Sequence, residues 1–348
     1  MFKIRKISCI HSVLIKLSIA AFLVFIPFTQ SSALTLKIAT ISPEGAVWMV
    51  KMRQAAKEIA KRTDKRVKFK FYPGGIMGND KSVLRKIRIG QLHGGALTNG
   101  SMESIYPDAQ LYSLPFLFNS NEEVSYTREK MDDFFIKGME EHGYVTFGFA
   151  EGGFAYLMSN KPLKNVPDLQ QQKIWVPAGD TIAQTIFNSA SVSPVPLPIS
   201  DVMTSLQTGL IDTVMPSPIG AIALQWHTRV KYLTDTPLSY FYAFLAINKK
   251  TFKKISPDDQ LIVREIMSTA FKEIDTQNRK DNINAKKALE NQGIKFIKLS
   301  DKTLSAWHQT GEKAREILKN KGIYSPEVIK TLEGHLESFR NSHPITSK

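Results

Sequence analysis

Two long apolar segments rich in aromatic residues constrain this sequence more than anything else in it: Tyr144 to Ser159 and Tyr240 to Asn248. Each is long enough to run as a strand from one globular body into another, and a complete β-α-β unit lies between them. In that unit Lys173–Pro177 reads as a strand, Thr181–Ala190 as a helix and Ser193–Ile199 as an extended stretch stiffened by Pro194, Pro196 and Pro198. Ser200–Thr208 is again helical and Leu210–Met215 a strand. A chain that crosses twice leaves a first lobe, builds a second and returns, which sets a cleft between two hinged bodies.

The flanks continue the alternation. Leu34–Thr40 and Val67–Tyr72 read as strands around the helical spacing of Trp48–Arg62, and the helix Gly78–Gly90 runs into the small-residue strand and loop Gly94–Gly100. Strands alternating with helices predict a largely parallel sheet whose ligand crevice lies beyond the carboxyl ends of the strands. After the cap signal Ser256-Pro-Asp-Asp, Gln260 to Asn291 holds no Gly or Pro and reads as one long helix or two nearly continuous ones, followed by strand Ile294–Leu299 and helices Ser300–Lys321 and Ser325–Ser342. The fold class is therefore α/β, with two lobes joined by crossover strands. Residues 34–150 and about 243–275 are assigned to lobe I; residues 151–242 and about 276–342, with the C-terminal helices, to lobe II.

Lys3, Arg5, Lys6 and Lys16 precede the apolar run Leu17–Phe28, which ends at Ser31-Ser32-Ala33. This is the layout of a secretory signal, residues 1–33, with cleavage expected after about Ala33 and a periplasmic destination. The one cysteine, Cys9, falls before the apolar run, so the mature chain has neither a disulfide nor a thiolate-bound metal. The formal net charge of +14 drops to +10 without the four leader cations. The basic residues of the mature chain are scattered among acids, as in Lys51 to Glu58, and an exported chain of this pattern predicts a solvated basic surface and no nucleic-acid partner.

A cleft protein of this size is also a natural frame for a hydrolase, but the catalytic signatures are missing. There is no G-x-S-x-G elbow and no H-E-x-x-H pair, and the seven histidines form no metal-spaced group. Gly74-Gly75-Ile-Met-Gly78-Asn-Asp-Lys81-Ser82 lacks the glycine–lysine spacing of a phosphate loop. No catalytic residue, metal or cofactor is assigned, and the protein is not expected to be an enzyme.

Five segments carry a resemblance: Lys37-Ile-Ala-Thr-Ile-Ser-Pro-Glu-Gly45, Phe71-Tyr-Pro-Gly-Gly-Ile-Met-Gly78, Leu114-Pro-Phe-Leu-Phe118, Val195-Pro-Leu-Pro198 and Leu206-Gln-Thr-Gly-Leu-Ile-Asp212. In this order the chain resembles the DctP-type solute-binding proteins of tripartite ATP-independent periplasmic (TRAP) transporters. The resemblance implies an α/β, two-lobe periplasmic-binding-protein-like fold with crossover strands and a long helix spanning both lobes, closure on a small-molecule ligand and delivery to the membrane permease subunits of a TRAP transporter, with room for an accessory periplasmic helper protein. Two positions depart from the family pattern. Trp175 stands where most members carry an arginine that clamps a substrate carboxylate through paired hydrogen bonds, and Pro216 most nearly takes the place of a ligand-binding asparagine. A tryptophan offers a wide apolar face and one N–H donor.

The expected ligand-binding set is therefore Trp175, Trp48, Thr98, Asn99, Glu151, Phe154, Tyr156, Met215, Pro216, Ser217, Trp226 and Phe241, with Gln225 and Tyr242 nearby. It describes a predominantly apolar cleft with a few polar anchors, suited to a hydrophobic or amphipathic molecule. A conventional organic acid held without the arginine, and a ligand-sensing protein with no permease, remain as alternatives. Glu151, charged within an apolar crossover, requires a partner, water or a ligand group unless it is an exposed hinge residue.

Overall fold

The computed structural model describes residues 33–343; Cys9 and the leader's charged and apolar regions lie outside the described residues. The first sheet runs β2 (Val67–Tyr72), β1 (Leu34–Thr40), β3 (Gly94–Thr98), β11 (Ser239–Asn248) and β4 (Tyr144–Val145), with β5 (Phe149–Ala155) also paired to β11. β1, β2 and β3 are parallel, whereas β11 is antiparallel to β3, β4 and β5, so the sheet is mixed where a largely parallel one was expected. The returning crossover causes this: it re-enters the first sheet beside the strand that left it.

Side chains along a strand point to opposite faces in turn, and this sheet uses both. On β11, Leu245 and Ile247 join Leu36 and Ile38 of β1 in a core under helices Val47–Arg62 and Pro257–Asn291. Phe244 and Ala246 join Leu97 in a core on the other face, under helices Asp80–Arg88, Asn121–Glu141 and Pro326–Ser342. The result is a sheet between two helical layers.

The second sheet is β12 (Lys295–Ile297), β10 (Tyr232–Thr234), β6 (Met158–Ser159) and β9 (Thr213–Val214), and beside it β7 (Trp175–Pro177) pairs in parallel with β8 (Val195–Leu197). The first crossover is not one strand. It breaks into β4, β5 and β6, with Gly148 at φ 149° between the first two. Only Tyr156 and Leu157 separate β5 in the first sheet from β6 in the second. Expected strand Leu210–Met215 shrinks to Thr213–Val214, because Gly209 closes the preceding helix in the left-handed conformation and Lys173 N–H is taken by Asp212.

Pro257–Asn291 is one helix of 35 residues, capped by Ser256 with Pro257 in its first turn. Its first half buries Val263, Met267, Phe271 and Ile274 in the first lobe, and its last turns bury Leu289 among Trp175, Trp226 and Leu233 of the second. The last helix corrects the sequence assignment of residues up to 342 to lobe II. Val328, Ile329, Leu332 and Leu336 pack into the core of Met131 and Phe135, so this helix lies on the first lobe. Its i, i+3/i+4 apolar stripe is visible in the sequence, but the surface it covers is not.

Candidate functional site

The carboxyl ends of β1, β3, β7 and β8 converge on a cavity of about 430 Å³. From the first lobe come Ile41 after β1, the loop residues Gly75, Gly78 and Asn79, then Asp80, Lys81, Leu84 and Arg88 of the following helix, and Thr98, Gly100, Ser101, Glu103 and Ser104 at the end of β3. From the second lobe come Pro177–Asp180 after β7 and Pro198–Ser200 after β8. A crevice fed by strand ends on both sides is where an open α/β fold presents a ligand site.

Local chemistry fixes each wall. Asn79 caps helix Asp80–Arg88 by accepting from Ser82 N–H, and Asp80 Oδ2 accepts from both the backbone N–H (2.9 Å) and the hydroxyl (2.8 Å) of Thr98. That pair ties the helix to the end of β3. Asp180 caps helix Thr181–Ser189 by accepting from Ala183 N–H at 2.9 Å. Its carboxyl is pushed up to about 6, chiefly by burial, which outweighs the Ala183 hydrogen bond, with the Glu103 carboxylate adding to the rise. Burial likewise raises Asp80 against the Thr98 hydrogen bonds. Gly100 lies against Asp180: a Cβ on Gly100 would sit 3.2 Å from Asp180 Oδ2, so a bare α-carbon lets the two lobes approach here.

Of the twelve expected residues, Thr98 is the one that lines this cavity. Trp175 is 4% exposed; its Nε1–H donates to Leu197 O at 2.9 Å and its ring meets Trp226 edge-on at 5.0 Å. Its one donor is thus spent within the β7–β8 pair. Trp48 packs edge-on to Phe71, Met215 lies in the core with Trp307, and Asn99 donates to Ser113. Phe154 meets Tyr240, Tyr156 lies under the Lys286 ammonium, and Phe241 sits at an irregularity in the β5–β11 register. Pro216 O accepts from Tyr156 N–H, and Ser217 caps the short helix Pro218–Ala223. Gln225 adopts a left-handed conformation and Tyr242 donates to Ala109 O.

Glu151 has its partner in the protein. It is 1% exposed and its Oε2 receives Arg279 Nε–H at 3.0 Å. Around it Asp275 accepts from Glu151 N–H, Asn278 donates to Glu151 O, and Asn282 donates to Gly152 O, so the long helix is stitched to the crossover strand. Gly153, at φ 87°, approaches the Asn282 side chain more closely than any Cβ permits.

The cavity's charged residues, Asp80, Lys81, Arg88, Glu103 and Asp180, are absent from the expected set. Asp80, Lys81 and Asp180 stand at or just before helix starts beyond strand ends, the kind of place that pointed to Thr98, whereas Arg88 ends its helix and Glu103 lies within a turn, where no such signal applies. Among the described residues no group of three or more His, Cys, Asp or Glu side chains is arranged to hold a metal ion.

Residues 38–320 match the family model DctP, bacterial extracellular solute-binding protein family 7. A solute-binding protein of Roseobacter denitrificans is 25% identical over 271 residues, 77% of this chain and 80% of that protein. The 2,3-diketo-L-gulonate-binding periplasmic protein of Escherichia coli is 25% identical over 205 residues, 58% of this chain and 62% of that protein. In fold, the chain is similar to a TRAP periplasmic solute-binding protein from Haemophilus influenzae with bound L-gulonate, at a TM-score of 0.80 and 18% identity, covering 86% of this chain and 99% of that one.

Proposed function

We infer that this chain, which belongs to bacterial extracellular solute-binding protein family 7, captures a small polar organic acid in the cavity between its two lobes and hands it to a TRAP membrane permease. The family is one of transport receptors rather than enzymes. The observation that carries the ligand class is the cavity wall: Lys81 and Arg88 supply cations on one side, with Thr98, Ser101, Ser104 and Ser200 among its hydrogen-bonding residues. A hydrophobic ligand has no support there, since the aromatic candidates pack elsewhere. The gulonate derivatives bound by two of the relatives are acids of the same kind.

In this reading the carboxylate rests on Lys81 and Arg88, and Trp175 stiffens the second lobe instead of stacking on the ligand. The chain works in the periplasm, after removal of its leader at about Ala33. The lobe limit near residues 275–276 is supported by the long helix, whose buried residues change cores between Ile274 and Leu289. Calorimetric titration of ligand-stripped protein with sugar acids and C4-dicarboxylates tests the reading. A one-to-one complex weakened at least tenfold by Lys81→Ala combined with Arg88→Ala is expected; binding indifferent to both substitutions sinks it.

A further inference from the structure

The same cavity carries a second polarity. Asp80, Glu103 and Asp180 all line it, and none belongs to an ion pair among the described residues. Asp80 has two donors from Thr98 and is accounted for. The other two are not. Glu103 Oε2 is shut off from solvent and no donor reaches it, although a buried carboxylate oxygen ordinarily accepts at least one hydrogen bond. Asp180, 6% exposed, spends one oxygen on Ala183 N–H, while its Oδ2 faces Gly100 of the opposite lobe. Glu103 raises the proton affinity of Asp180 through space, so the two carboxylates oppose one another across the cavity they both line.

We propose that Glu103 of the first lobe and Asp180 of the second together bind a protonated amine of the ligand, so that the transported molecule is an amino acid or amino-sugar acid. This deepens the organic-acid reading above and rests on it. An ammonium has three donors and no acceptor, which suits two carboxylates and a neighbouring hydroxyl such as that of Ser101. Lys81 and Arg88, which line the same cavity, take the acid group. Because one carboxylate comes from each lobe, the ammonium neutralises a repulsion that opposes their approach, and closure becomes coupled to the ligand's positive charge.

The test uses matched probes that differ only in the amine: L-glutamate against 2-hydroxyglutarate, L-alanine against lactate, and glucosaminate against gluconate, titrated into ligand-stripped protein. These titrations are paired with mass spectrometry of the molecule carried by natively purified protein. The expected result is that an amino compound binds at least tenfold tighter than its hydroxy partner, that Glu103→Gln and Asp180→Asn each erase most of that preference, and that the carried molecule contains a basic nitrogen. Equal binding of both partners, or a carried acid without nitrogen, overturns the proposal while leaving the organic-acid receptor intact. A thermal shift produced by sodium or potassium chloride alone and abolished in Glu103→Gln also overturns it, in favour of a bound inorganic cation. No carried molecule and no binding of either partner in any pair defeats the receptor reading itself.

Discussion

The Arg279 guanidinium closes on the Glu151 carboxylate with Nε 3.0 Å from Oε2, joining the long helix to the strand that leads from the first lobe to the second. Beside it Arg128, 7% exposed, donates to Asp275, Asp132, Tyr240 and the carbonyl of Phe149. The region through which the lobes must flex is therefore held by buried charges that satisfy each other. Removing one partner leaves an uncompensated charge, whose cost exceeds what the intact pair contributes.

Glu151→Ala is accordingly expected to lower unfolding free energy by about 3 kcal/mol, toward the low end for a broken buried pair because Arg279 retains some solvent. Urea denaturation of the two single variants and the double variant measures it. A coupling energy near zero between Glu151→Ala and Arg279→Ala contradicts the pairing.

Trp175→Phe keeps most of the ring packed on Trp226 but deletes the hydrogen bond to Leu197 O, and a loss of about 1–2 kcal/mol in stability follows. Ligand affinity should stay within threefold of wild type. A variant that folds normally yet binds ten times more weakly places Trp175 on the ligand after all.

Gly100→Val puts a branched side chain between the lobes where a Cβ already meets Asp180. The expected outcome is weaker binding by at least tenfold with a melting temperature close to wild type, since the added bulk obstructs closure rather than the core. Small-angle scattering checks the cause: ligand should compact the wild type and leave the variant unchanged.

Asp180 titrates near 6 in the folded protein and near 3.8 when unfolded, so the folded state holds its proton more tightly. Its contribution to stability is fully present below about pH 4 and is lost as pH rises through about 6, by roughly 2–3 kcal/mol at most. Asp180→Asn preserves a capping side chain while removing the charge. The variant should therefore gain on the wild type in melting temperature as pH is raised from 4 to 7; parallel curves for the two proteins contradict the assignment.

Much of this architecture is legible in the residues themselves. The two crossovers, the β-α-β unit between them and the uninterrupted run from Gln260 to Asn291 follow from periodicity and from where Gly and Pro are missing. The site is far less legible. Apolar residues at Phe154, Tyr156 and Phe241 read the same whether they face a ligand or a core, and only the packing of distant segments decides which. Trp175 shows the difficulty most clearly, because its wide apolar face reads in sequence as a surface for a ligand while the carbonyl that absorbs its N–H, Leu197 O, lies 22 residues away in another strand. Asp180 and Glu103 escaped notice for a related reason: each sits in an ordinary capping or turn setting, and their opposition exists only across the cleft.

The central claim is that the cavity of about 430 Å³ holds a small polar organic acid by its charged walls. A crystal structure of protein purified without stripping tests it most directly. The account predicts density for one such molecule against Lys81, Arg88 and Thr98, with the lobes closed over it. Density for a ligand stacked on Trp175 or Trp226 instead, with those cations free, would contradict it.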